Sequence, residues 1–190
     1  TAMPQNVLGI NNATQVTGSG YANCALLSTG QVMCWGSRQY GKLGNGTSSG
    51  NEPNPVFVTG INNAVQISGG YEHACALLDD DTIKCWGRND GGQLGTGVGG
   101  GQSTTPVAVI NITNAAKVSA GADRTCALLS TCQVMCWGGI YTATPQLVSG
   151  ITNAIDISVG EESQCAIITG GTIMCWGSGS HGQLGNGSNS

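Results

Sequence analysis

Residues 24–34 read Cys-Ala-Leu-Leu-Ser-Thr-Gly-Gln-Val-Met-Cys, and Trp35 and Gly36 follow directly. Two short apolar runs flank a Ser-Thr-Gly segment, a pattern that predicts two strands joined by a tight turn. If Cys24 lies opposite Cys34, the whole register of the hairpin is fixed. The stretch therefore predicts a β-hairpin in which each strand has a cysteine at the end that lies away from the turn.

Both faces of this predicted hairpin are apolar. With the cysteines opposite each other, Ala25 pairs with Met33 and Leu26 pairs with Val32. A sheet with one solvated face alternates apolar and polar side chains, and this hairpin does not. We therefore expect each hairpin to be covered on both faces by neighbouring copies of the same unit.

The hairpin pattern occurs four times in tandem. The second cysteine always lies ten positions after the first, and a Trp-Gly pair always follows it. A Gly-rich segment follows in three copies, at residues 41–46, 92–97 and 182–187, and the third copy lacks it. We interpret residues 1–190 as a single repeat domain. Its approximate units are residues 4–54, 55–105, 106–144 and 145–190.

A repeat of about 50 residues with several short strands is typical of propeller blades. The pattern Gly-x-x-x-x-Cys-Ala-Leu-Leu-x-x-x-Gly-x-Val-x-Cys-Trp-Gly, followed by Gly-Gln-Leu-Gly-x-Gly, resembles the regulator of chromosome condensation repeat over essentially the whole chain. The resemblance implies a β-propeller, usually of seven blades with four strands each. We expect an all-β chain of four tandem blades of short antiparallel strands, forming an open arc or part of a β-propeller.

Eight of the nine cysteines form four pairs. Opposed positions on adjacent strands bring Cβ atoms within reach of a disulfide. The alternative is buried free thiols, since cysteine is a common small core residue. A metal site is not expected because no Cys-x-x-Cys spacing or Cys/His cluster occurs, and no cofactor is expected either. The predicted disulfides are Cys24–Cys34, Cys75–Cys85, Cys126–Cys136 and Cys165–Cys175.

Persistent disulfides indicate an oxidising compartment, so we expect a secreted or cell-surface protein. Sequons compatible with that location make four asparagines candidate glycosylation sites: Asn12, Asn45, Asn111 and Asn186. The ninth cysteine, Cys132, occupies a hairpin turn. It is a candidate intermolecular thiol, or else a tolerated surface residue.

Charge and composition argue against several classes of function. The net charge is −4, and the six basic residues do not cluster, so nucleic acid is not an expected partner. No apolar run is long enough to predict a membrane span. The two histidines, His73 and His181, have no neighbouring residues that suggest a nucleophile with its base. We therefore predict that the chain is not an enzyme.

The segment before each first cysteine varies from copy to copy. Variable loops on a constant scaffold are where a binding surface for another protein or a glycan would be built, although neutral drift produces the same variation. The candidate partner-binding residues are Tyr71, Glu72, His73, Asp123, Arg124, Glu161 and Glu162.

Four units are too few for a seven-bladed ring, and an open arc exposes two apolar faces and unpaired strand edges. The remaining blades would come from a longer chain, from a second copy that closes an eight-bladed ring, or from copies stacked head to tail. A closed four-bladed monomer is a further alternative. Residues 182–187 are in phase with the segment that begins at Pro4, which is expected for head-to-tail assembly and equally for a fragment of a longer chain.

We therefore predict a non-enzymatic extracellular structural protein that assembles with copies of itself. One alternative is a secreted module that binds a protein or a glycan through its loops. Another is a fragment of a larger propeller similar to the nuclear guanine-nucleotide exchange factor, which is one member of the family that the repeat resembles.

Overall fold

In a computed structural model, which describes residues 3–189, the chain forms four antiparallel β-sheets. We call each sheet a blade and number the blades in chain order. Blade 1 holds β1 (Ala13–Ser19), β2 (Ala22–Leu27), β3 (Val32–Ser37) and β4 (Asn51–Phe57). Blade 2 holds β5 (Ala64–Gly69), β6 (His73–Leu78), β7 (Ile83–Arg88) and β8 (Gln102–Ala108).

Blades 3 and 4 have shorter or fewer outer strands. Blade 3 holds β9 (Ala115–Ala120), β10 (Arg124–Leu129), β11 (Val134–Gly138) and β12 (Gln146–Leu147). Blade 4 holds β13 (Ala154–Val159), β14 (Ser163–Ile168) and β15 (Ile173–Gly177). The helical residues within 3–189 are a single 3₁₀ turn at Gln39–Gly41, and nothing in this range is a helix long and apolar enough to cross a membrane.

The register predicted for the hairpins is confirmed. In blade 1 Cys24 lies opposite Cys34, Ala25 opposite Met33, and Leu26 opposite Val32. The same register recurs in the other three blades. The sequence units at 4–54, 55–105, 106–144 and 145–190 stay a prediction. The sheets themselves span residues 13–57, 64–108, 115–147 and 154–177.

The blades stack face to face around one axis. The first strands of successive blades, β1, β5, β9 and β13, contact one another and form the inner edge of the stack. The last strands, β4, β8 and β12, lie at the outer edge because each sheet keeps its strands in chain order from the inner to the outer side. The four blades form an open arc, which confirms the predicted all-β, propeller-type fold.

The core lies between blades, in three clusters. One face of a blade, the disulfide face, carries its two paired cysteines; the opposite face, the tryptophan face, carries the residues that pack on the previous blade. Between blades 1 and 2 the disulfide-face residues are Cys24, Leu26, Val32 and Cys34, and the tryptophan-face residues include Ala76, Leu78 and Trp86. The other two interfaces repeat this arrangement. Each buried aliphatic side chain contributes about 1.5–3 kcal/mol, so stacking stabilises the hairpins as expected.

Candidate functional site

Successive inner strands are joined by side chains that bind the next blade's backbone. The Gln15 amide donates to the Ile67 carbonyl at 2.9 Å, and its oxygen accepts from the Ile67 N–H at 2.9 Å. The Thr17 hydroxyl accepts from the Gly69 N–H at 2.9 Å. Blade 2 repeats both acceptor contacts towards blade 3, through Gln66 and Ser68. Each interface therefore has a direction, with side chains on one blade and main chain on the next.

The interface between blades 3 and 4 keeps one of these contacts and replaces the other. The Ser119 hydroxyl accepts from the Val159 N–H at 3.0 Å. The position of Gln15 and Gln66 is held by Lys117, which forms an ion pair with Asp156 of blade 4. A charge pair thus occupies the place where the other interfaces use an amide.

The Gly-rich segments fix each blade to the tryptophan of the next. The Trp86 indole N–H donates to the Lys42 carbonyl at 2.9 Å, and the Trp137 indole donates to the Gln93 carbonyl at 2.9 Å. Gly44 has a positive φ of 65°, and a Cβ there would lie 3.0 Å from the Trp86 ring. Glycine is required here because the backbone both turns and touches the ring.

Blade 3 lacks a Gly-rich segment and uses a side chain instead. The Trp176 indole of blade 4 donates to the Tyr141 hydroxyl at 2.9 Å. The same hydroxyl lies 3.3 Å from the Gln164 side-chain oxygen, to which it donates. Sequence reasoning missed Tyr141. The signal that could have found it is the missing Gly-rich segment of the third unit. Without that segment, the indole of the following tryptophan needs another hydrogen-bond acceptor.

The four predicted cysteine pairs are disulfide-bonded in the structure. Each bond joins the two central strands of one blade, and none joins two blades. In blades 1 to 3 the paired cysteines are fully buried because the next blade covers them. In blade 4 Cys165 and Cys175 are only partly covered. Disulfides of this kind favour an oxidising compartment.

The disulfide face of blade 4 is open. Ile173 is 64% exposed, whereas Ile83 at the same position of blade 2 is fully buried. Ile167 and Ile173 border a hollow of about 130 Å³ on this face. Ser158, at the position of Thr17 and Ser68, is exposed. The residues that join blades elsewhere in the arc are therefore presented to solvent here.

The opposite end of the arc carries the complementary groups. Trp35 of blade 1 stands where Trp86 and Trp137 stand in blades 2 and 3, but it is only half-buried, and no blade precedes it within residues 3–189. On the adjoining inner strand, Val16 is 72% exposed. The two end faces of the arc thus differ, and each resembles one side of the internal interfaces.

Three of the candidate partner-binding residues are buried, which corrects the expectation that they lie on a binding surface. Glu72 forms an ion pair with Lys42, whose side chain is fully buried between blades 1 and 2. Arg124 is 8% exposed and donates from Nη1 to the Glu162 carbonyl at 2.6 Å. His73 is fully buried. These side chains join blades, because the loop turns them inward against the neighbouring blade.

His73 has a defined hydrogen-bonding state. Its Nε2 lies 2.8 Å from the Thr125 hydroxyl, and that hydroxyl donates its only proton to the Gln93 carbonyl at 3.1 Å. Nε2 therefore carries the ring proton, and Nδ1 is a buried acceptor that has no hydrogen-bond partner. Burial lowers the pKa of His73 to about 4, because the charged ring would lose its hydration.

The other four candidate residues, Tyr71, Asp123, Glu161 and Glu162, are exposed. Two of them line the axial trough, an open cavity of about 450 Å³ where the loops before the first cysteines converge at the inner edge of the arc. Five glycines line this cavity together with Tyr71, Ala122, Val159 and Glu161. The structure thus brings Tyr71 and Glu161, from blades 2 and 4, to one concave surface.

The remaining candidate residues lie apart from the trough. Asn12, Asn111 and Asn186 are exposed and Asn45 is half-buried, so their glycosylation stays a prediction. Cys132 is half-buried in its turn with a φ of 62°, and its carbonyl accepts from the Ala154 N–H of blade 4 at 2.9 Å. Its role as an intermolecular thiol also stays a prediction.

His181 is exposed and directly precedes the last Gly-rich segment. Within residues 3–189 no three metal-ligating side chains come together.

Comparison with known proteins identifies relatives of these blades. One model described as the regulator of chromosome condensation (RCC1) repeat matches residues 29–77 and 81–128, and a second matches residues 13–42 and 64–93. The regulator of chromosome condensation of Drosophila melanogaster is 30% identical over 135 residues, which are 70% of this chain and 24% of that protein.

Solved structures share the fold at lower identity. Human WBSCR16 superposes with a TM-score of 0.88 at 20% identity, over 98% of this chain and 53% of that one. Saccharomyces cerevisiae Prp20p, studied for its binding to Gsp1p and histones, gives a TM-score of 0.86 at 19% identity, over 97% of this chain and 50% of that one. The chain spans about half of these propellers and about a quarter of the fly relative. Four disulfide-bonded blades with this register and these matches place the chain in the regulator of chromosome condensation repeat family.

Proposed function

We propose that the chain is a non-enzymatic extracellular repeat protein whose copies associate head to tail. The disulfide face of blade 4 would pack on the tryptophan face of blade 1 of the next copy. The observation that supports this proposal is the directional interface that recurs three times inside the arc. Its two halves are both presented at the ends, one half on each end face.

The contacts expected between copies follow from the internal ones. The Ser158 hydroxyl would accept from the Gly18 N–H, as Thr17 accepts from Gly69. The Gln183 carbonyl in the last Gly-rich segment would accept from the Trp35 indole, as the Gln93 carbonyl accepts from Trp137. Ile167 and Ile173 would be buried as their counterparts are in blades 1 to 3. Such an association is heterologous, so it produces a ring or a fibre according to whether the rotation closes.

The extracellular location is proposed from the four disulfides, which persist in oxidising compartments and are rare in the cytosol. The disulfide bonds leave the end faces free because each one lies within a single blade. A structural role outside the cell accords with blades that are each cross-linked internally by their own disulfide.

A second candidate is supported by the comparisons. The chain spans about half of the related propellers, so further blades of a longer chain would occupy the same end faces. The chain would then be part of a larger propeller that binds other proteins. Intact-mass measurement of the protein from its natural source separates the two. A mass near 19.1 kDa supports association between copies, and a mass larger by several blades supports the longer chain.

Sedimentation velocity of the 190-residue chain under non-reducing conditions tests the association itself. We expect assemblies that grow with concentration. Ile173→Lys places a charge on the open disulfide face and should give a monomer. Ile155→Lys is the matched control, because Ile155 and its counterpart Val65 in blade 2 are 56% and 55% exposed and lie outside the interfaces.

A monomer at every concentration would contradict the proposal. Equal disruption by Ile155→Lys would also contradict it, because added charge alone would then explain the loss of assembly.

A further inference from the structure

We propose that the axial trough is a binding site for a lysine or arginine side chain carried by an extended segment of a partner protein. The site lies at the inner edge of the arc. None of the residues that line it makes a contact proposed above between copies, so the two proposals can be tested separately.

The floor of the axial trough is made of backbone. A Cβ on Gly70 would overlap the His73 ring and the Gly121 carbonyl, and a Cβ on Gly121 would overlap the Gly160 carbonyl. Glycine is thus required at these positions because neighbouring blades approach each other closely. The cavity of about 450 Å³ that lies over these glycines is open to solvent.

The lining of the trough combines one aromatic ring, that of Tyr71, with one carboxylate, that of Glu161. Tyr71 is 53% exposed and Glu161 is also exposed, so both side chains are accessible from solvent. The pKa of Tyr71 is raised, first by Tyr21, then by desolvation, and further by the negative charges of Glu72 and Glu161. Aromatic faces and carboxylates are the groups that bind an ammonium or guanidinium ion.

The carboxylates around the trough are not all balanced by cations. Glu72 is paired with the buried Lys42, and Asp123 lies 3.7 Å from the Arg124 side chain. Within residues 3–189 Glu161 and Glu162 form no ion pair. Glu161, the carboxylate that lines the trough, is therefore not neutralised by a cation of the described residues, in a chain whose net charge is −4.

A buried acceptor lies directly behind the floor. Nδ1 of His73 is fully buried and has no hydrogen-bond partner, and it faces the position of the missing Cβ of Gly70. Because burial lowers its pKa to about 4, His73 is neutral near pH 7 and adds no positive charge that would oppose a cation in the trough.

Isothermal titration calorimetry with capped tetralysine tests the site, and capped tetraglutamate and chitotriose are the comparison ligands. We expect tetralysine alone to bind, and its affinity to fall with added salt because the charges are exposed. Glu161→Gln and Tyr71→Ala should each weaken binding by about three- to tenfold. The measurement is repeated in Ile173→Lys, so that a failure of this site is distinguished from a failure of assembly.

Asp81→Asn is the matched control. It removes one negative charge from the exposed hairpin turn at the other end of the blade, and asparagine accepts the φ of 61° found there. We expect its affinity for tetralysine to match that of the unmodified chain. The proposal is overturned if tetralysine does not bind, if tetraglutamate or chitotriose binds as well, or if Asp81→Asn weakens binding as much as Glu161→Gln.

Discussion

The Trp176 indole donates to the Tyr141 hydroxyl at 2.9 Å. A side chain of blade 3 thus accepts the indole hydrogen bond that a main-chain carbonyl accepts in the earlier blades. Tyr141→Phe should therefore destabilise the chain by about 1–2 kcal/mol, because the indole N–H loses its acceptor in a partly buried site. Urea unfolding under non-reducing conditions measures this change.

Tyr40→Phe is the control for Tyr141→Phe. Tyr40 is also half-buried in the segment after a Trp-Gly pair, but the Trp86 indole binds the Lys42 carbonyl and not the Tyr40 hydroxyl. We expect a change well below that of Tyr141→Phe. Equal losses for the two variants would show that the Trp176 hydrogen bond contributes nothing specific.

The buried pair Lys42–Glu72 joins blades 1 and 2. Lys42→Met should cost about 3–5 kcal/mol, because it leaves the Glu72 carboxylate buried without a cation. The double variant Lys42→Met, Glu72→Leu removes both charges and should recover most of that loss. Chemical denaturation of the two single variants and the double variant gives the coupling energy. Additive losses would contradict the pairing.

Stability should fall as the pH drops from 6.5 towards 4, because of His73. The unfolded chain binds a proton on this ring near pH 6.5, and the folded chain binds it only near pH 4. Protonation in this interval therefore favours the unfolded state, by up to about 3 kcal/mol. Stability is fully present above pH 6.5. Urea unfolding across this interval measures the slope.

His73→Gln removes the titrating group and should flatten the slope between pH 6.5 and pH 4. The pKa of Asp156 is lowered from 3.8, chiefly by its hydrogen bond from Lys117, so its contribution is lost only at lower pH. A slope that persists unchanged in His73→Gln would show that another group is responsible.

Gly70→Ala should destabilise the arc by about 1–3 kcal/mol, because the added methyl group overlaps the His73 ring and the Gly121 carbonyl. Gly18→Ala is the control, since its nearest neighbour would lie 3.8 Å away and its φ is not positive. Thermal unfolding should separate the two variants clearly. Equal stability would mean that blades 2 and 3 can move apart without cost.

The hairpin register could be predicted because it depends on residues close in the chain. The opposed Cys24 and Cys34, and the apolar side chains between them, specify both strands and both buried faces. The direction of stacking could not be predicted in the same way, because it depends on contacts such as that of Thr17 with Gly69, 52 positions away.

The loop residues show the same limit. Tyr71, Glu72 and His73 are consecutive and variable, and the sequence offered no means of separating them. The structure exposes Tyr71 and buries the other two, because the neighbouring segments supply Lys42 and Thr125 as partners. Local pattern predicts that a loop varies, and the opposing blade decides which of its side chains reach solvent.

Each disulfide encloses residues of one blade only, and this determines how the chain responds to a mechanical load. Under tension the non-covalent contacts between blades can separate one after another, while the residues between paired cysteines cannot extend. Each disulfide prevents about ten residues from extending, which corresponds to about 35 Å of contour length. When a blade of a stretched chain unfolds, the chain would gain about that much less length than it would without the disulfide. Each blade would keep its central hairpin, which can act as the template for refolding when the load is removed.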